Sequence, residues 1–459
     1  MKHRKLLLMT LCAVWLASCT PTEEKSESAS FEVPVEYYKL DNGLKVILSQ
    51  DRTSPTVVIA AYYNIGFRIE PKDRTGFAHL FEHMMFQGSK NLGKMEFIKL
   101  VQQNGGVLNG STRFDFTNYF EIVPAHKLET MLWAEADRMR GLAITQDNLT
   151  NQQGVVKNEV KVNVLNQPYG GFPWLDMPQY ANENWYNAHN FYGDLEDLDA
   201  ATLVDVQSFF DTYYAPNNAA ISVVGDFEIE DAKKWIEQYF GDIPSAELPP
   251  TPDISEKRQT AEKRFEKEDK LATKPAIAIA YHMPERNTTS YYAMGLLDQI
   301  LVQGDNSLLY KELVKKNGYT ANVNGGINYL GNMFNYKGPM QWMFNLTYDN
   351  TTEADSIIQS VDDVIAGLQT NGVTQAMLDN AIVKIRSSLY DNLGGFFGFG
   401  RADLLCSFAL FDDDPARINQ IENEFKKVTI EDVNATIEEY LRSTNRTILT
   451  LKPTAESLN

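Results

Sequence analysis

The sequence predicts an α+β or α/β sandwich built twice over, and three observations carry that prediction. β-forming and amphipathic helical stretches come in runs rather than in strict β-α-β alternation. A segment rich in proline and charge, DIPSAELPPTPDISEKRQTAEKR, divides the chain near its middle. The windows TLVDVQSFFDTYYAPNNAAI (from Thr202) and TIEDVNATIEEYLRSTNRTI (from Thr429) match without gaps at Thr202/Thr429, Asp205/Asp432, Val206/Val433, Tyr213/Tyr440, Asn218/Asn445 and Ile221/Ile448. Each reads as helix, loop and strand.

Taken in order, Lys2, Arg4 and Lys5 precede the apolar run LLLMTLCAVWLAS. That run is shorter than the roughly 20 residues of a spanning helix and reads as a secretory leader. Its end, Leu16-Ala17-Ser18-Cys19, resembles the lipobox of bacterial lipoproteins. Residues 1–18 are therefore expected to be a removed signal peptide and 19–30 a polar tether. A lipid on Cys19 would be the only membrane attachment, placing the protein in a bacterial envelope, at the periplasmic or outer-membrane face. Residues 31–245 then form a first domain, 246–265 a linker and 266–459 a second domain.

Within the first domain, FEVPVEYYKLDNGLKVILSQDRTSPTVVIAAYY alternates β-formers around Asp41-Asn42-Gly43, the signature of strands joined by a tight turn. Helical spacing follows in GFAHLFEHMMFQG and KMEFIKLVQQNGG, each closed by glycine. Strand pattern returns in GVLNGSTRFDFTNYFEIVP, and a long helical region covers AHKLETMLWAEADRMRGL and DNLTNQQGVVKNEVKVNVLNQP.

Charge and cysteine usage narrow the function. A formal charge of −19 makes nucleic acid a poor partner. With Cys12 in the leader and Cys19 lipidated, Cys406 in ADLLCSFAL has no internal disulfide partner and reads as a small buried apolar residue. The run GGFFGFG (394–400) lacks the Gly-Lys-Ser/Thr of a phosphate loop and reads as a hinge or substrate-facing loop.

The segment HLFEHMMFQG carries the chemistry. Helix residues four apart share a face, with Cβ atoms about 5–6 Å apart, so His79 and His83 can converge on one ion while Glu82 stands beside them. Satisfied core histidines would leave an unpaired buried carboxylate, which is costly. Zinc accepts imidazole nitrogen and keeps a position open for water, but it needs a third protein ligand. From the residues alone, Glu121, Glu129, Glu135 and Glu159 all compete for that role. The second half aligns GLLDQILVQG with the same segment, setting Gly295, Asp298 and Gln299 where the first has His79, Glu82 and His83. The triad is confined to one half.

His-x-x-Glu-His is the inverzincin signature. With NGGVLNGSTRFDFTNYFEIVP, VVKNEV and HNFYGDLEDLDAATLVDVQSFFDTYYAPNNAAISVVGDF, the chain after the tether resembles the M16 zinc metallopeptidases, in their short, processing-peptidase-like branch. The resemblance implies an α+β fold of two homologous domains, each a mostly antiparallel sheet flanked by helices. It implies one zinc per chain held by His79, His83 and Glu159, with Glu82 as general base, in an endopeptidase cutting oligopeptides or unstructured segments inside a closed chamber. It places Asn109 beside the zinc on a strand edge that pairs with substrate, although Asn109 also reads as a plain turn residue before glycine. Gln152 stands where many members carry a supporting glutamate. In NSLLYKELVKKNGYTANV, Tyr319 matches a substrate-binding tyrosine, but Leu308 and Glu312 occupy positions where arginine is usual. The expected assembly is a homodimer, or a heterodimer whose related partner supplies an Arg/Tyr pair. The alternative function is a non-catalytic or partner-dependent subunit.

Overall fold

The computed structural model describes residues 32–454. The leader, the tether through Ser30 and the lipidation position Cys19 lie outside the described residues. Among the described residues no single helix is long and apolar enough to cross a membrane.

The first half folds around a six-stranded sheet. β1 (Glu36–Lys39) and β2 (Lys45–Gln50) pair antiparallel across the Asp41-Asn42-Gly43 turn. Gly43 sits at φ 88°, where a Cβ would come within 2.8 Å of Asn217 Cβ, so the turn requires glycine. β3 (Thr56–Tyr63), β4 (Val107–Thr112), β5 (Thr117–Pro124) and β6 (Ala219–Gly225) complete the sheet in the order β1-β2-β6-β3-β5-β4. Only β2 and β6 pair in parallel. β4 is an edge strand with one side of its backbone free of sheet partners.

The predicted helices fall where periodicity put them: α1 (Phe77–Met84), α2 (Glu96–Gln103), α3 (Leu128–Arg140) and α4 (Gln146–Val160). Leu80, Phe81 and Met84 of α1 pack with Leu132 of α3, Val156 of α4 and Val57 and Ile59 of β3 in one buried cluster. Burying a side chain of that size contributes roughly 1.5–3 kcal/mol, and this packing fixes the register of α1.

The second half repeats the plan. β7 (Lys263–Asp269), β8 (Ala276–His282), β9 (Asn324–Ile327), β10 (Gln341–Thr347) and β11 (Arg446–Pro453) run in the order β7-β11-β8-β10-β9, again with a single parallel pair, β7 with β11. Omitting β1, the two sheets have the same order and the same directions. The repeated windows form the helices Leu203–Tyr213 and Ile430–Tyr440, each leading into one strand of the parallel pair, β6 and β11 respectively. Thr202 with Asp205, and Thr429 with Asp432, close the same reciprocal capping box at their N-termini. Residues 241–262 contain no helix or strand, and β7 begins at Lys263, inside the stretch read as linker.

The halves interlock. The second-half helix Phe399–Asp412 packs on β3 and β6 of the first sheet, on the face away from α1. Cys406 is fully buried there, with its Sγ 3.6 Å from Ala60 O, and burial pushes its thiol well up. The cysteine is a packing residue, as its surroundings in the sequence suggest.

Candidate metal centre

Helix α1 is started by an unusual cap. Gly76 precedes it at φ 80°, and the buried Glu70 carboxylate accepts hydrogen bonds from the backbone N–H groups of Gly76 (2.9 Å) and Ala78. A carboxylate suits a helix N-terminus, where unpaired N–H groups and the helix dipole both favour negative charge. Gly76 also lets the loop 190–194 approach: a Cβ on it would stand 2.4 Å from Tyr192 O, and one on Gly193 would stand 2.3 Å from Gly76 N. The contact is secured by Thr75, whose hydroxyl donates to Asp197 (2.6 Å) and accepts from Asp194 N (2.8 Å). Two distant sequence segments are thereby locked backbone to backbone, and Tyr192 is set against α1.

On this platform His79 and His83 lie one turn apart, their rings perpendicular with centroids 4.9 Å apart. Helix α4 brings Glu159 to them. Its Oε1 is 3.7 Å from His79 Nε2 and its Oε2 is 3.2 Å from His83 Nε2. One potential ligand atom from each of the three residues lies within 4.8 Å of the others. Tyr192 donates to Glu159 Oε1 at 3.2 Å, orienting the carboxylate from behind.

The electrostatics suit a cation. Burial lowers the His79 imidazole to about 4, reinforced by neighbouring His83 and opposed by Glu159, so His79 is neutral at physiological pH as a metal ligand must be. The contact with His83 holds Glu159 below the usual carboxylate range, against the opposing effect of burial. Burial raises Glu82, although the Thr112 hydroxyl donates to its Oε2 at 2.8 Å and lowers it in part. His79 Nδ1 is buried with no hydrogen-bond partner. Two imidazoles and a carboxylate form the nitrogen and oxygen donor set that zinc accepts in hydrolytic sites, and a divalent charge would offset the two acids gathered around them.

The other sequence candidates are sorted by position. Glu121 and Glu135 are buried beside Arg138 of α3, and Glu129 accepts from Tyr239 at 3.0 Å. None of them joins the cluster. Gln152 is buried on α4 and donates to Asn151 at 2.8 Å. Asn109 lies on β4 opposite Phe120, and its Oδ1 accepts from Gly110 N. Strand alternation turns it to the sheet face opposite Thr112, three residues on, which contacts Glu82. Tyr319 follows the helical turn Tyr310–Lys316 in the second half, and no hydrogen bond or ion pair among the described residues joins it to the cluster. Glu312, in the expected arginine position, binds Lys316 and Asn317 at 2.9 Å each. Sequence reading nominated neither Tyr192 nor Glu70; the glycines at 76 and 193 were the available signal.

A His-x-x-Glu-His helix facing a glutamate from a second helix, in a duplicated α+β frame, defines an inverzincin-type site. The chain belongs to the M16 peptidase family: residues 45–184 match the model described as Insulinase (Peptidase family M16), and residues 200–384 match the Peptidase M16 inactive domain. The zinc protease PqqE of Helicobacter pylori is 25% identical over 429 residues, covering 91% of this chain and 93% of that protein. A crystal structure of a protease from Helicobacter pylori superposes with TM-score 0.84 at 25% identity, over 92% of this chain and all of that one. An M16 inactive-domain structure from Pseudomonas fluorescens gives 0.81 at 20% identity, over 92% of this chain and 98% of that one, and so speaks to fold alone.

Proposed function

We propose that this chain is a zinc-dependent endopeptidase cleaving oligopeptides or unstructured polypeptide segments, with His79, His83 and Glu159 holding the ion. The convergence of their three donor atoms within 4.8 Å, with Glu82 beside them, carries the reading. Zinc bound there would supply the positive charge that acidifies water and polarises a carbonyl oxygen.

The chain's own groups do the rest. Glu82, kept basic enough by burial, takes the proton of the attacking water and delivers it to the leaving amine. The Thr112 hydroxyl fixes the Glu82 carboxylate through Oε2. Tyr192 fixes Glu159. The free edge of β4 pairs with extended peptide, main chain to main chain, and leads it past Glu82. Purified protein should cleave a quenched peptide library in a chelator-sensitive way; absence of such cleavage, alone and with any related partner, would defeat the proposal.

A second reading rests on a specific feature. The segment 306–323 contains no arginine, and Glu312 is engaged with Lys316 and Asn317. A related subunit supplying an Arg/Tyr pair for the oxyanion would complete the site in a heterodimer. Cleavage by the isolated chain at the rate of the mixture would eliminate that reading. We also place the enzyme in the bacterial envelope through lipid on Cys19; Cys19→Ser should move it from the membrane to the soluble fraction, and an unchanged distribution would refute the anchor.

A further inference from the structure

The loop between the helices Gln375–Gly394 and Phe399–Asp412 holds two features that packing does not explain. Phe396 and Phe397 are 56% and 70% exposed, and both take positive φ, 45° and 56°, between Gly395 and Gly398. Consecutive aromatic residues in the left-handed region are sterically disfavoured, and such outliers gather at functional sites. Here the strained conformation serves to hold two rings in solvent.

Their location identifies what they meet. A Cβ on Gly398 would lie 3.8 Å from Val224 on β6 and 3.9 Å from Val58 on β3. Moving outward, Phe399 stacks on Phe120 of β5 with centroids 3.8 Å apart, and Phe396 meets the same ring edge-on at 6.0 Å. Phe120 is the register partner of Asn109 on β4, the strand with the free edge. Val107, two residues before Asn109 and on the same face, is 47% exposed. The aromatic loop therefore stands over the sheet one strand short of the edge that would receive peptide.

We propose that Phe396 and Phe397 form a recognition surface for a large apolar side chain of the bound peptide, an inference that rests on the peptidase reading above. Side chains of a peptide paired with β4 alternate between two faces. One set turns towards Thr112 and Glu82; the other turns towards Val107, Asn109 and the exposed rings. Asn109 and Thr112 are three positions apart, so the selected residue lies roughly three residues from the cleaved bond. The preferred substrates are segments with Phe, Leu or a similar residue at that distance, and the flanking glycines let the rings adjust to different sizes.

The test uses the full chain and peptide pairs that differ only by Phe or Ser at successive positions. Cleavage by the wild type and binding to Glu82→Gln, followed by fluorescence anisotropy, should both favour Phe at least tenfold at one position. Phe396→Ala with Phe397→Ala should bring that ratio close to one, and Phe397→Leu should keep most of it, with zinc content and thermal midpoint reporting that each variant is folded. A ratio unchanged within twofold in the double variant, or no position of preference in the wild type, would overturn the recognition role while leaving the peptidase intact. Failure of the wild type to cleave or bind any peptide would overturn both.

Discussion

Helix α1 and the helix Thr289–Leu301 occupy the same place in two copies of one plan, yet they solve the problem of a buried carboxylate in opposite ways. Glu82 on α1 accepts one hydroxyl, from Thr112, and otherwise feels the charges of His83, Arg113 and Glu159. Its counterpart Asp298 is covered: Trp342 Nε1 donates to it at 2.8 Å, and Gln303 Nε2 stands at 3.3 Å. Gly295 stands where His79 would be, and a Cβ there would already touch Met333 and Phe425 at 3.0 Å. The second half satisfies its acid with protein donors; the first has kept two imidazoles and a second carboxylate beside its acid. A duplicated fold can thus keep its sheet and helices while its two copies differ in their polar groups, because an indole N–H satisfies the buried acid of the second half, whereas that of the first stands beside two histidines and a glutamate.

The comparison breaks most sharply on turnover. Glu82→Gln should lower kcat by about a hundredfold to ten-thousandfold, the usual scale for loss of a general base, with metal retained. Asp298→Asn should leave kcat within about twofold. Equal losses in the two variants would remove the functional distinction between the halves.

A second contrast lies in pH. Burial raises the Asp298 carboxyl to about 6. Because the folded state holds this proton more tightly than the unfolded chain does, its stabilising contribution is complete below about pH 4 and disappears as pH rises through about 6, by an amount on the order of 3 kcal/mol. Urea unfolding at pH 4 and pH 7 should show a smaller decline for Asp298→Asn than for the wild type; identical declines would contradict the assignment.

Tyr192→Phe removes the hydroxyl that orients Glu159 and should weaken zinc binding about 10–100-fold, read by chelator competition. The smallest effects test the likeness of the halves. Thr202→Ala and Thr429→Ala each break one of two matching capping boxes and should each cost about 1 kcal/mol. Costs differing by more than about twofold would show that one half has come to rely on its cap more than the other.

Much of this was legible because local signals agreed with tertiary ones. The Asp41-Asn42-Gly43 turn, the helical spacing of α1 and the Thr-x-x-Asp caps are each written within a few neighbouring residues. His79, Glu82 and His83 share one helix, so their convergence follows from its pitch. Glu159 was different: several glutamates precede it, and what separates it from Glu121 and Glu135 is that those turn towards Arg138 in the core, a matter of sheet and helix packing. Family resemblance selected it where spacing did not. Tyr192 and Glu70 were missed because their roles arise from a close backbone approach between loops far apart in the chain. Trp342 reads as an ordinary strand aromatic until β10 is laid beside Asp298.

The central claim is that one metal ion is gripped by α1 and α4 in the first half and that the second half grips none. Elemental analysis of carefully prepared protein tests it most directly. One zinc per chain in the wild type, and none in His83→Ala with folding preserved by circular dichroism, is the predicted result. No stoichiometric transition metal in the wild type, or a full equivalent remaining in the variant, would contradict it.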